Sequence, residues 1–341
     1  MLFRSDTLVS LWPEEADGYL GRAQVWMLRN DFEKALAECS RAVTVDPKCG
    51  AAWITRAAIQ QRRGNFEESV RDATKGIALL PKQPLGFSNR SAGRLGKQDW
   101  KGAVEDASAA IDIAPSLAIA WANRAGARIF LGDFERALAD ATRAIELDPS
   151  MAIAYANRSG AHLERGEANE ALKDADKAVE LDSSLAIAYS NRGMALTLND
   201  HLDAALADFN RAIELDPKLA IAYAGRGAAQ MRREDWDAGI RDCDRAIELD
   251  PTLFQAFSNR GGARTAKGDH EGALADANKA IELNPRRHEP YIMRGLALHS
   301  LKQTPRAVAD IETALKLAPA EWPHRKDVEK MLEDIRAGKD P

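Results

Sequence analysis

Small and apolar residues recur every three or four positions along most of this chain, in short blocks separated by polar breaks. That is helical spacing, in which residues three and four apart share a face. Between Ala118 and Met151 a first block runs to Leu131 and stops at Gly132-Asp133. A second block resumes at Glu135 and stops at Pro149, which cannot continue a helix. Each block predicts a helix of about 13 residues, roughly 20 Å long.

The pair of blocks returns every 34 residues. Proline marks the period at Pro13, Pro47, Pro81, Pro115, Pro149, Pro217, Pro251, Pro285 and Pro319, and only Ser183 interrupts the series. A fixed period of this size predicts a solenoid, in which each unit buries its apolar face on its neighbours. The organisation expected is a half-repeat stub helix over residues 1–15, where Leu8, Val9, Leu11 and Pro13 keep the register. Nine full repeats then span 16–321, starting at 16, 50, 84, 118, 152, 186, 220, 254 and 288. A capping helix and tail occupy 322–341, with Pro323 opening the helix and Val328, Met331, Leu332 and Ile335 on its apolar side. Thr304-Pro305 predicts an N-cap followed by a first-turn proline, and Pro290 is expected to open its helix in the same way.

Numbering each repeat from its own first residue sorts the positions by role. Positions eight, twenty and twenty-seven are small in every copy, as at Ala125, Ala137 and Ala144, and predict close helix approach. Position four is aromatic in every copy, from Tyr19 and Trp53 to Tyr291, which at helical spacing beside small residues predicts packing. Position seven is always Arg and position twenty-three always acidic, as in Arg124 with Asp140 and Arg158 with Asp174. Long buried cations are normally paired, so these predict an internal ladder of ion pairs.

This pattern, with its proline at position thirty-two, resembles the tetratricopeptide repeat family over residues 16–321. The resemblance implies an all-α, right-handed superhelical α-solenoid. The first helix of each pair would line a concave groove and the second would face outward. Family members mostly bind peptides or extended protein segments there and rarely do chemistry. The chain departs from the commonest family pattern at position seven, usually Leu, and at position twenty-four, often Phe or Tyr, which is mostly Ala, with Phe209 and Ile311 as its large exceptions.

The candidate binding residues lie on the first helices. Position six is Asn89, Asn123, Asn157, Asn191 and Asn259, and position two adds Ile119, Ile153, Ile187 and Ile221. An amide carries both a donor and an acceptor, as recognition of a peptide backbone needs. Small residues at positions five and nine, among them Ala122 and Gly126, are expected to leave the amides reachable. The arrangement is similar to the asparagine ladder in the NRG-type repeats of the O-linked N-acetylglucosamine transferases, which implies an extended ligand with little sequence preference. Two alternatives stay open: the amides bond across repeats while the isoleucines pack between them, or the chain is the recognition arm of a larger enzyme such as a glycosyltransferase. The half-repeat start supports the second of these and the C-terminal capping helix opposes it.

Composition narrows the field further. A formal charge of −5 argues against nucleic acid or an anionic membrane as the partner. No apolar run approaches the ~20 residues of a membrane span, and the first residues do not read as a secretion signal. Cys39, Cys49 and Cys243 are odd in number and scattered, unlike a disulfide framework, which fits a reducing, cytoplasmic setting. Cys39 and Cys243 share position twenty-four and are expected to be small core residues. The histidines show no metal-ligand spacing, and no phosphate-binding loop or nucleophile motif is present. The expectation is therefore a non-enzymatic interaction scaffold that takes no cofactor or metal and binds an extended protein or peptide segment.

Overall fold

The structure, a computed structural model, describes residues 15–318, 322 and 324–339. Most of the expected half-repeat stub, along with Pro319 and Pro323, lies outside the described residues. All regular structure among them is α-helical, in a solenoid of helix–turn–helix repeats. The chain divides into two units, Met1–Leu181 and Asp182–Pro341.

The first unit holds five helix pairs: α1 (Ala16–Leu28) with α2 (Phe32–Val45), α3 (Gly50–Arg62) with α4 (Phe66–Leu79), α5 (Pro84–Gly96) with α6 (Trp100–Ile113), α7 (Ala118–Phe130) with α8 (Phe134–Leu147), and α9 (Ala152–Glu164) with α10 (Ala168–Leu181). The second holds four: α11 (Ala186–Leu198) with α12 (Leu202–Leu215), α13 (Ala220–Arg232) with α14 (Trp236–Leu249), α15 (Phe254–Ala266) with α16 (His270–Leu283), and α17 (Glu289–Ser300) with α18 (Thr304–Leu317). A further helix, α19 (Arg325–Arg336), follows them.

Pairing is set by the small positions. Ala125, Ala137 and Ala144 have no exposed surface, so the backbones they sit on are in close contact. At Gly227 a Cβ would stand 2.9 Å from the carbonyl oxygen of Gly239 on the partner helix, nearer than any side chain can sit. Where serine replaces alanine, its hydroxyl crosses the pair: Ser159 Oγ donates to the Ala171 carbonyl at 2.8 Å.

The turn inside each pair uses one left-handed residue at position fifteen. Glycine supplies it at Gly132 (φ 76°) at no steric cost, whereas Gln98 (φ 60°), Glu234 (φ 64°) and Lys302 (φ 62°) adopt it against their side chains. The Asp133 amide then reaches back to the Arg128 carbonyl at 2.9 Å and closes the helix end. Between pairs, an aspartate follows several of the second helices: the Asp148 carboxylate accepts from the Ser150 amide at 3.0 Å.

Helix α18 begins at Thr304 itself, with Gln303 at its N-cap, so Thr304 is not the cap its sequence suggests. In α17 the N-cap is His288 and Pro290 sits within the first turn after Glu289. Both prolines still occupy positions whose amides have no helical partner, which satisfies the same constraint one residue along. Helix α19 buries Val328, Leu332 and Ile335 against Leu298 and Ile311. Arg325 ties it down by donating to the carbonyls of Leu315 and Ala318 at 3.0 and 2.9 Å.

Candidate functional site

The position-seven arginines turn inward and meet the acidic residues of their own repeats. Arg124 donates from Nε and Nη2 to the two oxygens of Asp140 at 2.8 and 2.9 Å, and Arg158 does the same to Asp174 at 2.7 and 2.7 Å. The same fork recurs at Arg56, Arg90, Arg192, Arg226, Arg260 and Arg294. Only Arg22 differs, because the longer Glu38 presents a single oxygen to both nitrogens at 2.9 and 2.6 Å. Hydrogen bonds donated to Asp174, Asp242 and Asp310 hold the guanidinium groups of Arg158, Arg226 and Arg294 above the usual arginine range. These arginines are structural and are not presented to an anionic ligand.

Two further contacts escape the sequence reading, the first made by every one of these arginines and the second by most of them. The guanidinium carbon lies over the aromatic ring three residues earlier, 4.6 Å from the Trp53 centroid for Arg56 and 4.7 Å from Trp121 for Arg124. The free Nη1 crosses to the preceding repeat: Arg124 reaches Ser108 Oγ at 3.1 Å, and Arg260 reaches Asp244 at 2.6 Å. The position-four ring and the polar residue at position twenty-five are signals that could have revealed both, since each stands at a constant offset from the arginine.

The asparagines also bond across repeats. In the first unit Asn89, Asn123 and Asn157 donate from Nδ2 to the carbonyls of Ile54, Ser88 and Ala122 at 3.0, 3.0 and 2.9 Å. In the second, Asn259 donates to Ala224 at 3.1 Å. Asn123 is 9% and Asn191 4% exposed, so neither stands free on the surface. Bonding across repeats, one of the alternatives the sequence leaves open, therefore takes one donor of these amides and holds adjacent first helices together. The amide oxygens of Asn89, Asn123, Asn157 and Asn259 have no partner among the described residues and are not sealed from solvent.

Position five does not keep the amides open as expected. Ala122, Ala156 and Ala224 are 1% exposed, because the following repeat packs over them. Position nine does. A Cβ on Gly126 would meet only the Asn157 amide, at 3.5–3.9 Å, and one on Gly262 would meet nothing within 4 Å. Ile119, Ile153, Ile187 and Ile221 are half-buried. In the first unit, Asn123 and Asn157 thus lie on successive first helices with Ile119 and Ile153 one turn toward the helix start.

Burial pushes the Cys39 and Cys243 thiols up to about 12, so both are inert. No group of His, Cys, Asp and Glu among the described residues is arranged to hold a metal ion. No helix among them is long and apolar enough to cross a membrane.

Three sequence models described as tetratricopeptide repeat match the chain, at residues 5–52 and 122–186, at 186–219, and at 254–287 and 288–321. No curated protein matches it in sequence. Among solved structures it is similar to the APC/C hetero-tetramer Cut9–Hcn1, with a TM-score of 0.63 and 14% identity over 97% of this chain and 81% of that one. A tetratricopeptide repeat protein from Parabacteroides merdae gives a TM-score of 0.51 and 20% identity over 74% of this chain and 99% of that one. YrrB, described as a TPR protein with an unusual peptide-binding site, is 27% identical over 58% of this chain and 99% of its own, with a TM-score of 0.37. The first two likenesses show the fold alone.

Proposed function

Because the chain belongs to the tetratricopeptide repeat proteins, we propose that it is a non-catalytic scaffold that binds an extended segment of another protein along its first helices. The observation that carries this reading is the half-used amide of the position-six asparagines. Asn89, Asn123, Asn157 and Asn259 each spend a donor on the repeat before and keep an oxygen that has no partner among the described residues. An oxygen fixed in this way is a ready acceptor for a peptide N–H, because its orientation is set before the ligand arrives. In the first unit Asn89, Asn123 and Asn157 supply the polar contacts, with Ile119 and Ile153 beside them as apolar ones; in the second unit Asn191 and Asn259 play the polar part and Ile187 and Ile221 the apolar one. Each hydrogen bond contributes only ~0.5–1.5 kcal/mol, so affinity needs several at once. A cytoplasmic setting belongs to the same reading, given three cysteines that are all free.

Replacing the asparagines by alanine would break bonds between repeats, so it cannot separate binding from folding. Gly126→Leu can. A leucine there packs on the Asn157 amide, its Cβ 3.5 Å from Nδ2 in ordinary van der Waals contact, and it favours the helix over glycine by about 0.8 kcal/mol. Partners captured from a lysate by the wild-type chain should be lost with Gly126→Leu while the melting temperature holds or rises. Full retention of those partners would remove this face as the binding site.

A further inference from the structure

Resting on the binding face just described, we propose that its occupant is an uncharged segment with one large apolar side chain, rather than an acidic or basic tail. The chain is 29% charged, yet in the second to fifth repeats of the first unit no residue at positions two, six, nine or twelve carries a charge. Apart from Asn123, these residues are half-buried or exposed, as at Leu85, Ile119, Gly126 and Leu163, so burial does not account for their neutrality. In the second unit the sixth to eighth repeats keep the same rule, as at Ile187, Met194, Met231 and Gln255. The second helices do the opposite: α8 alone exposes Glu135, Arg136, Arg143 and Glu146. A solvent-facing surface from which charge is excluded selects against a charged occupant, because desolvating an ion there finds no opposite charge to compensate it.

The place for the apolar side chain is a break in a second, exposed ladder. Position fourteen of one repeat pairs with position eighteen of the repeat before it in Arg63–Glu33 (2.5 Å), Lys97–Glu67 and Arg165–Glu135 (3.9 Å). Between these, position fourteen is Leu131 in place of a cation, and position eighteen of the repeat before is Lys101 in place of an acid. Leu131 is 42% exposed and its neighbour Phe130 is 64% exposed. The Phe130 ring stacks on Trp100 of the preceding repeat, with centroids 4.0 Å apart and planes 8° from parallel. Phe130, Leu131 and Trp100 form an apolar step at the end of α7, next to Ile129 of the neutral face. An extended segment lying across α7 and α9 brings a side chain to it.

The test is selection of displayed random short peptides on the full-length chain. Enriched peptides should be depleted several-fold in Asp, Glu, Lys and Arg relative to the starting library and should share one aromatic or large aliphatic position. Their affinity, read by fluorescence anisotropy, should fall about tenfold with Leu131→Lys, which alters an exposed side chain beyond the helix end. Gly126→Leu should weaken them as well. Peptides that keep charged residues at library frequency yet lose binding with Gly126→Leu would overturn the neutral occupant while leaving the face as the site. Peptides insensitive to Gly126→Leu, or no enrichment at all, would overturn the proposal and the reading beneath it together.

Discussion

The ring of Phe209 occupies the space into which a side chain on Gly225 would project: a Cβ at Gly225 would lie 2.4 Å from the ring. Phe209 stands at position twenty-four of its repeat, where most copies have alanine. Gly225 stands at position six of the next, where asparagine is commonest. The two exceptions are therefore one substitution distributed over two repeats. It leaves a mark on Ser190, whose buried hydroxyl has no partner among the described residues, whereas the equivalent Ser88 receives the Asn123 amide.

Phe209→Ala should cost about 3–5 kcal/mol, since the ring is fully buried. Gly225→Asn alone should also destabilise, by about 1–3 kcal/mol, through overpacking. The double variant recreates the commoner pairing and gives the introduced amide the Ser190 backbone carbonyl to bond. Its cost should fall below the sum of the two by about 2 kcal/mol in urea unfolding. Strict additivity would show that the two sites are not coupled.

Arg158→Ala strands a carboxylate: Asp174 is 4% exposed and loses both forked bonds. The arginine side chain is 25% exposed, which places the cost near the lower end for a buried pair, about 3 kcal/mol. Asp174→Ala added to the same chain should recover part of it. An unchanged unfolding midpoint for Arg158→Ala would mean that the ladder contributes nothing to stability.

The buried thiols give a pH dependence of definite sign. Their native values lie near 12 against an ordinary 9.0, so above pH 9 unfolding lets them ionise and lose protons that the native state retains. Stability should then fall as pH rises through this window, by up to ~1.4 kcal/mol per thiol per pH unit. A chain with Cys39→Ala and Cys243→Ala should show a shallower decline between about pH 9 and pH 11, measured as the slope of unfolding free energy against pH. In the native protein a thiol reagent at about pH 8 should modify Cys49 alone, because it is the cysteine with partial exposure.

The ladder of arginine and acid was legible because both partners are side chains, and opposite charges at one constant offset leave a trace in the sequence. The asparagines behave differently. Asn123 bonds the main chain of Ser88, and a backbone carbonyl has no residue type to betray it. Sequence spacing put these residues on one face but could not divide the amides of Asn89, Asn123, Asn157 and Asn259 into a structural donor and an oxygen without a partner among the described residues. Position five misled for a similar reason: Ala122 is small because a neighbouring repeat presses on it, not because a ligand needs room. The left-handed turn was legible at Gly132 and hidden at Glu234, where the fold imposes on an ordinary residue the geometry that glycine adopts freely.

The crossing bonds also determine how such a chain can grow. Arg124 needs Ser108 behind it, and Asn123 needs only the backbone of Ser88, so most copies make the same demands on the copy before them. A gene encoding this array can gain or lose one such 34-residue module without leaving an unmatched junction. Phe209 and Gly225 are the exception. The repeats that carry them must be duplicated, deleted or transplanted as a two-module cassette, and a breakpoint between them would bring the phenylalanine ring against an asparagine.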